Sequence, residues 1–369
     1  MNSETGVGTT RRRGVGGLVS AFGLSYLFGA FLLVTLFYAF GTWDVLAGSR
    51  LLDLLIRVGI VKYHDQNLGF IEGVADHKYY LTSQTPVDWF LVVLAGLLFL
   101  AFFAVKTLQF DGVARHFGAK GTLGQNGRAY LYGLGLDRWF PFGLGQTGTH
   151  QVLTSQGSTD EQSSNVLFAT GLFVLFEISL FGIVGLLGEG WGPWVGQVLW
   201  GAFVFTLLYL WVRRPPGASV GSIARGWGRK VREVLGSLSS DPPLFAKLAA
   251  LSLVAFALED VAAYMIANAF GIGVEFSVIV MGLGAGYVAR LIPLSPGGIG
   301  QYEWGFAVAL VLGGVGAPEA ATLAILDNLL RYLVGAVAVG SILFWYGVDT
   351  KFSAVLNAFN SGVTTESRT

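Results

Sequence analysis

From residue 18 to residue 40 the chain runs 23 residues without one charged side chain. About 20 apolar residues suffice for a helix to cross the hydrocarbon core of a bilayer. Apolar segments of that length recur at 89–108, 166–188, 191–212, 244–270 and 320–346. The interval 274–316 is apolar too, but Arg290, Pro293, Pro296 and nearby glycines interrupt it, so two shorter spans flanking a break fit it best. The fold expected is all-α: a polytopic integral membrane protein with about eight transmembrane helices and broken or re-entrant Gly/Pro segments in both halves.

Composition excludes most other classes. Only 12% of the residues are charged, against about 25% in soluble domains, too few to cover a water-facing surface. The formal net charge is zero, which implies no nucleic-acid partner. Cys is absent, so disulfides, thiolate catalysis and Cys-based metal sites are excluded, and the four His have no tight ligand spacing. Neither metal nor cofactor is expected. Arg11, Arg12 and Arg13 precede the first apolar run, but that run is longer than the apolar core of a signal peptide and reads as a retained anchor.

Charge between spans orients the chain. Residues 213–243 carry Arg213, Arg214, Arg225, Arg229, Lys230 and Arg232 against Glu233 and Asp241, whereas 189–190, 271–273 and 317–319 carry no Lys or Arg. Cytoplasmic loops are enriched in Lys and Arg, so the expectation is a cytoplasmic segment 1–17, a transmembrane unit 18–346, and a cytoplasmic tail 347–369. Within that unit 41–88 would be an external loop, with an interfacial helix near 51–61, and 213–243 a basic cytoplasmic loop. Residues 109–165 read as an inside stretch, Gly-rich and only partly apolar.

Two segments nearly repeat each other. Arg138-Trp139-Phe140-Pro141 is followed by Gly143-Leu144-Gly145-Gln146, and Arg290-Leu291-Ile292-Pro293 leads to Gly298-Ile299-Gly300-Gln301. Pro removes a backbone donor and Gly permits helix-ending geometry. Non-helical backbone at membrane depth is tolerated only where protein buries it or a cavity wets it. Paired interruptions of this kind point to a transport site, and a helix restarting after the break suits an anion such as phosphate. The alternative is a pair of tight turns at the membrane surface.

Charges also fall inside spans: Glu177, Glu259, Asp260, Asp327 and Arg331. Each costs about 2.5–3.5 kcal/mol on insertion scales and needs a partner or a wet cavity. Asp327 and Arg331 share a helix face and can neutralise each other. With Arg138, Arg290 and Glu303 these side chains are expected to converge on one cavity. There the arginines would hold phosphate and the carboxylates would carry protons or pair with the arginines.

From Pro293 to Glu303 the chain resembles the transmembrane flippase region of lysylphosphatidylglycerol synthases and their stand-alone relatives. That family's Pro-Gly-Gly-x-Gly-x-x-Glu stretch is matched by Pro296, Gly297, Gly298, Gly300 and Glu303. Arg331 resembles the arginine of its final helix, and Pro141–Gln146 with Glu177 resemble its earlier half, Gln146 standing where Glu is usual. The resemblance implies a stand-alone member without the soluble aminoacyl-transferase domain. It also implies lipid translocation. Taken together with the arginines of the break segments, the expected substrate contacts are Arg138, Arg290, Pro296, Gly297, Gly298, Gly300, Glu303 and Arg331.

The function expected is therefore a flippase-like transporter moving a lipid with a charged or phosphate-bearing head group between leaflets. Its partners would be membrane lipids, together with a second copy of the chain or a lipid-synthesis enzyme. The alternative is a membrane-embedded enzyme, or a non-catalytic subunit, in lipid or lipid-linked glycan synthesis. No Walker-type nucleotide signature is present, so a gradient is the expected driving force, if there is one.

Overall fold

A computed structural model describes residues 15–39, 87–140, 144–187, 220–291 and 294–346. The expected span 191–212, the loop 41–86 with its interfacial helix, and the segments 1–14 and 347–369 lie outside the described residues.

The described residues form helices and no strand. In chain order they are α1 (Val15–Ala39), α2 (Trp89–His116), α3 (Leu123–Trp139), α4 (Leu144–Ser155) and α5 (Asp160–Leu187). Then come α6 (Val220–Ser239), α7 (Pro242–Ala269), α8 (Phe276–Arg290), a single tight turn at Pro296–Gly298, α9 (Gln301–Leu312) and α10 (Ala317–Tyr346). Among the described residues, Trp89–His116, Pro242–Ala269 and Ala317–Ser341 are long and apolar enough to cross a membrane, and Gly23–Leu36 and Phe276–Arg290 are shorter apolar helices.

Local chemistry starts these helices where the sequence provides for it. Asp88 accepts from the Phe90 N–H at 3.0 Å at the head of α2, and Asp241 accepts from the Leu244 N–H at 3.1 Å ahead of the Pro242 that opens α7. Thr122 and Gln125 form a reciprocal capping box on α3.

α2 and α7 pack along each other, with Phe99, Phe102 and Phe103 of α2 and Ala255, Ala262 and Ala263 of α7 all buried. Small residues let membrane helices approach closely, where van der Waals contact rather than water exclusion drives association. Leu97, Leu100 and Leu108 of α2, and Leu329, Leu333 and Val337 of α10, stay exposed, as a lipid-facing surface requires.

The expected break in 274–316 is present as the pair α8–α9, which pack against each other around residues 291–300. Residues 109–165 hold more structure than the sequence reading assigned them. α2 extends to His116, and α3 and α4 form a second packed pair around residues 140–143. Gly133 and Gly145 let that pair close, since a Cβ on Gly133 would lie 2.7 Å from the Gly145 carbonyl oxygen. Much of the basic stretch expected as a loop is helix α6, with Arg229 and Arg232 exposed on it.

Candidate functional site

The arginines of the two Arg-x-x-Pro motifs occupy equivalent places, Arg138 in the last turn of α3 and Arg290 in the last turn of α8. The two breaks meet. The Pro296–Gly298 turn packs on α3, and a Cβ on Gly297 would lie 3.0 Å from the Arg138 carbonyl oxygen. A Cβ on Gly298 would lie 2.9 Å from Arg290 Cδ, so the stem of Arg290 runs along the turn. Gly297, Gly298 and Gly300 have φ of 58°, 76° and 81°, left-handed backbone that excludes most side chains at the helix restart.

Consecutive residues of α1 hold both breaks. The Ser25 hydroxyl donates to the Leu294 carbonyl of the second, and the Tyr26 hydroxyl donates to the Trp139 carbonyl of the first. Each satisfies a carbonyl beside a break, where the helix ladder offers no amide. Trp304 of α9 donates from its indole N–H to the Leu32 carbonyl at 2.7 Å, fixing α1 across the second pair.

The restart of α9 is closed by side chains. Glu303 accepts from the Gly300 N–H at 2.7 Å and from the Asn328 amide at 2.7 Å. The Gln301 side-chain Oε1 accepts from the Ser295 N–H at 3.1 Å, and its side-chain Nε2 donates to the Ala289 carbonyl at 3.1 Å. In the first pair Asp137 supplies the acceptor, taking the Gly145 N–H at 2.8 Å. Gln146, at the position where the family resemblance places Glu, is exposed. Asp137 therefore does for α4 what Glu303 does for α9.

Arg138 is 4% exposed, and its Nε and Nη1 have no hydrogen-bond partner. Its guanidinium lies 4.7 Å from the Tyr332 ring centroid and 5.4 Å from that of Phe103. Arg138 and Arg290 lie within electrostatic range of each other, and neither makes a salt bridge with a carboxylate among the described residues, although Asp137 and Glu303 lie within electrostatic range of Arg290. A half-buried Arg290 at the same turn as a buried Arg138 with orphaned donors is an arrangement suited to an anion.

The other charges form two separate groups. Lys106 of α2, which the sequence reading did not single out, pairs with Glu177 of α5 at 2.7 Å and donates to Gln109 at 2.8 Å. Arg331 of α10 is 1% exposed and pairs with Asp327 at 2.8 Å and with Glu259 of α7. Tyr287 donates to Glu259 and accepts from Arg331 at 2.8 Å, while Tyr302 donates to Asp327 at 2.6 Å and accepts from Arg331 at 3.0 Å. The expected helix-face pair of Asp327 and Arg331 is present, with a second acid added. Asp260 is buried beside this group with no hydrogen-bond partner on either carboxylate oxygen. By direct ion pairs and hydrogen bonds these charges fall into three groups: the arginines at the breaks, an acid-rich network around Arg331, and the Lys106–Glu177 pair. No group of His, Asp and Glu suited to a metal occurs among the described residues.

Residues 76–340 match the family described as the lysylphosphatidylglycerol synthase TM region. The chain is also 27% identical over 195 residues to the glycosyltransferase AglD of Haloferax volcanii, an alignment covering 51% of this chain and 30% of that relative. No solved structure matches.

Proposed function

Because the chain belongs to the lysylphosphatidylglycerol synthase TM region family, we propose that it moves a lipid with a phosphate-bearing head group between membrane leaflets. The observation that carries this reading is Arg138, a buried guanidinium with orphaned donors at the meeting of two helix breaks. Leaving a charge unpaired in a dry interior costs several kcal/mol. Stacking on Tyr332 and Phe103 offsets only about 1–2 kcal/mol of that. A phosphate held between Arg138 and Arg290 would take up the orphaned donors of Arg138, and its oxygens match the planar fork of a guanidinium.

Roles for the other residues follow. Pro296, Gly297, Gly298 and Gly300 shape the turn that brings Arg290 to Arg138, and Glu303 fixes the restart of α9. Arg331 holds α10 to α7, so that Tyr332 stays under Arg138. Arg138 is closed off in this conformation, so a head group reaches it only when the breaks part. In this reading the exposed basic residues of α6 lie on the cytoplasmic side, as do both termini.

The test is lipid movement in vesicles holding the purified protein. Probes would be a labelled anionic phospholipid, a polyprenyl phosphate and a cationic lipid, scored by their accessibility to an external quencher. The phosphate-bearing anionic probes should cross faster than in protein-free vesicles, and Arg138→Gln should abolish the difference. If folded protein moves no probe, the transport reading is wrong.

A second reading is favoured by the match to a relative named as a glycosyltransferase. Here the chain serves lipid-linked glycan synthesis, as a membrane-embedded enzyme or as a subunit that presents the lipid. Mass analysis of the lipid after incubation with sugar donors separates the two, since transport leaves the head group covalently unchanged.

A further inference from the structure

Asp260 has no place in the anion site described above. It is 1% exposed, and neither carboxylate oxygen has a hydrogen-bond donor. The charged groups acting on it are Glu259 on its own helix and Asp327 and Arg331 from α10. On the other elements packed against α7, the titratable groups nearest in the fold are already engaged elsewhere and do not act on Asp260. Tyr287 of α8 bonds Glu259 and Arg331, Lys106 of α2 pairs with Glu177 of α5, and Lys230 of α6 bonds Asn165 and Glu233.

The charges at this point do not balance. Glu259, Asp260 and Asp327 are three acids around the single guanidinium of Arg331, which is already shared by Glu259 and Asp327. A bare carboxylate with no donor in a dry helix bundle is too costly to persist, and such a group takes up a proton instead. A metal cation is disfavoured by the nearby guanidinium, whereas a proton needs only one carboxylate oxygen.

We propose that Asp260 is a proton-carrying site coupled to the translocation cycle, loaded and unloaded as the Arg331 network rearranges. The step is a plain proton transfer. Asp260 takes a proton from one aqueous face as its O–H bond forms, and releases it to the other face when Arg331 swings toward the carboxylate. No other bond changes. The direct geometric link is Arg331, which precedes the Tyr332 that stacks on Arg138, so movement of α10 reaches both sites. This inference rests on the transport reading.

The experiment measures proton flux and lipid movement in the same vesicles. An acid-sensitive dye is trapped inside, a membrane potential is imposed, and the phosphate-bearing lipid probes are followed in parallel. Wild-type protein should carry protons inward, and Asp260→Asn should reduce that flux to the level of protein-free vesicles. Asp260→Glu should retain flux, which separates loss of the carboxyl from loss of folding. Infrared spectra of the purified protein provide a second readout, because the band of a protonated carboxyl should be present in wild type and missing in Asp260→Asn. Lipid movement without proton flux would overturn the proposal and leave transport standing. Proton flux lost in Asp260→Asn, with no lipid moving, would overturn the lipid reading and the coupling with it, leaving an uncoupled proton site at Asp260. Absence of both would overturn both.

Discussion

The Arg138 guanidinium lies 4.7 Å over the ring of Tyr332, whose hydroxyl donates to the Pro296 carbonyl at 3.3 Å. One aromatic side chain of α10 therefore joins the arginine of the first break to the turn of the second.

Arg138 should be worth more to binding than to stability. Replacing it with Met keeps an apolar stem against Phe103 and Tyr332 and removes donors that have no partner. Arg138→Met should leave thermal stability unchanged or raise it by about 1–3 kcal/mol, the cost of an unsatisfied buried polar group. Thermal unfolding in detergent checks this, and a marked loss of stability would show that Arg138 is structurally paired.

Arg331 should behave in the opposite way. Arg331→Met strands Glu259 and Asp327 without a counter-charge, a loss of about 3–5 kcal/mol where one partner of a buried pair is removed. Adding Glu259→Gln and Asp327→Asn should recover most of it. The single variant should emerge from size-exclusion chromatography aggregated and the triple variant monodisperse.

Asp137 and Glu303 should act as equivalent helix starters. Asp137→Ala removes the acceptor for the Gly145 N–H, and Glu303→Ala that for the Gly300 N–H. Each should cost about 0.5–2 kcal/mol, as lost caps do. Hydrogen exchange should speed up in the first turn of α4 for Asp137→Ala and of α9 for Glu303→Ala, with the other pair unaffected.

Gly297 should tolerate no side chain. Its φ of 58° disfavours any Cβ, and the added atom would meet the Tyr332 hydroxyl. Gly297→Ala should lower stability by more than about 1–2 kcal/mol, the left-handed penalty alone, because Tyr332 must also move. Gly124→Ala, in open space on α3, is the control. It should be neutral or stabilising by up to about 1 kcal/mol, since Ala is the better helix former.

The sequence revealed elements wherever one physical signal dominated. The helices around 18–40, 89–108, 166–188, 244–270 and 320–346 were legible because a mostly apolar run of spanning length, with at most three charges, has few alternatives in water. The break at 291–300 was legible because Pro and clustered Gly in an apolar run cannot stay helical. The pair of Asp327 and Arg331 followed from helical spacing alone. The fold of 109–165 did not follow, because α3 and α4 are only partly apolar and close through Gly133 and Gly145, whose contact depends on tertiary approach. Lys106 passed unnoticed as one charge near the end of an apolar segment, and its partner Glu177 lies 71 positions away. Asp137 was obscured by its neighbour Arg138, and Asp260 was not separable from Glu259 until burial and partners were known.

The most direct measurement is retention of phosphate-bearing lipid by the purified protein, read by native mass spectrometry in wild type, Arg138→Met and Arg290→Met. If the two breaks form one anion site, wild type should hold an anionic phospholipid in preference to a zwitterionic one. Each single variant should lose that preference while remaining folded. Equal retention of the anionic lipid by wild type and both variants would contradict the account.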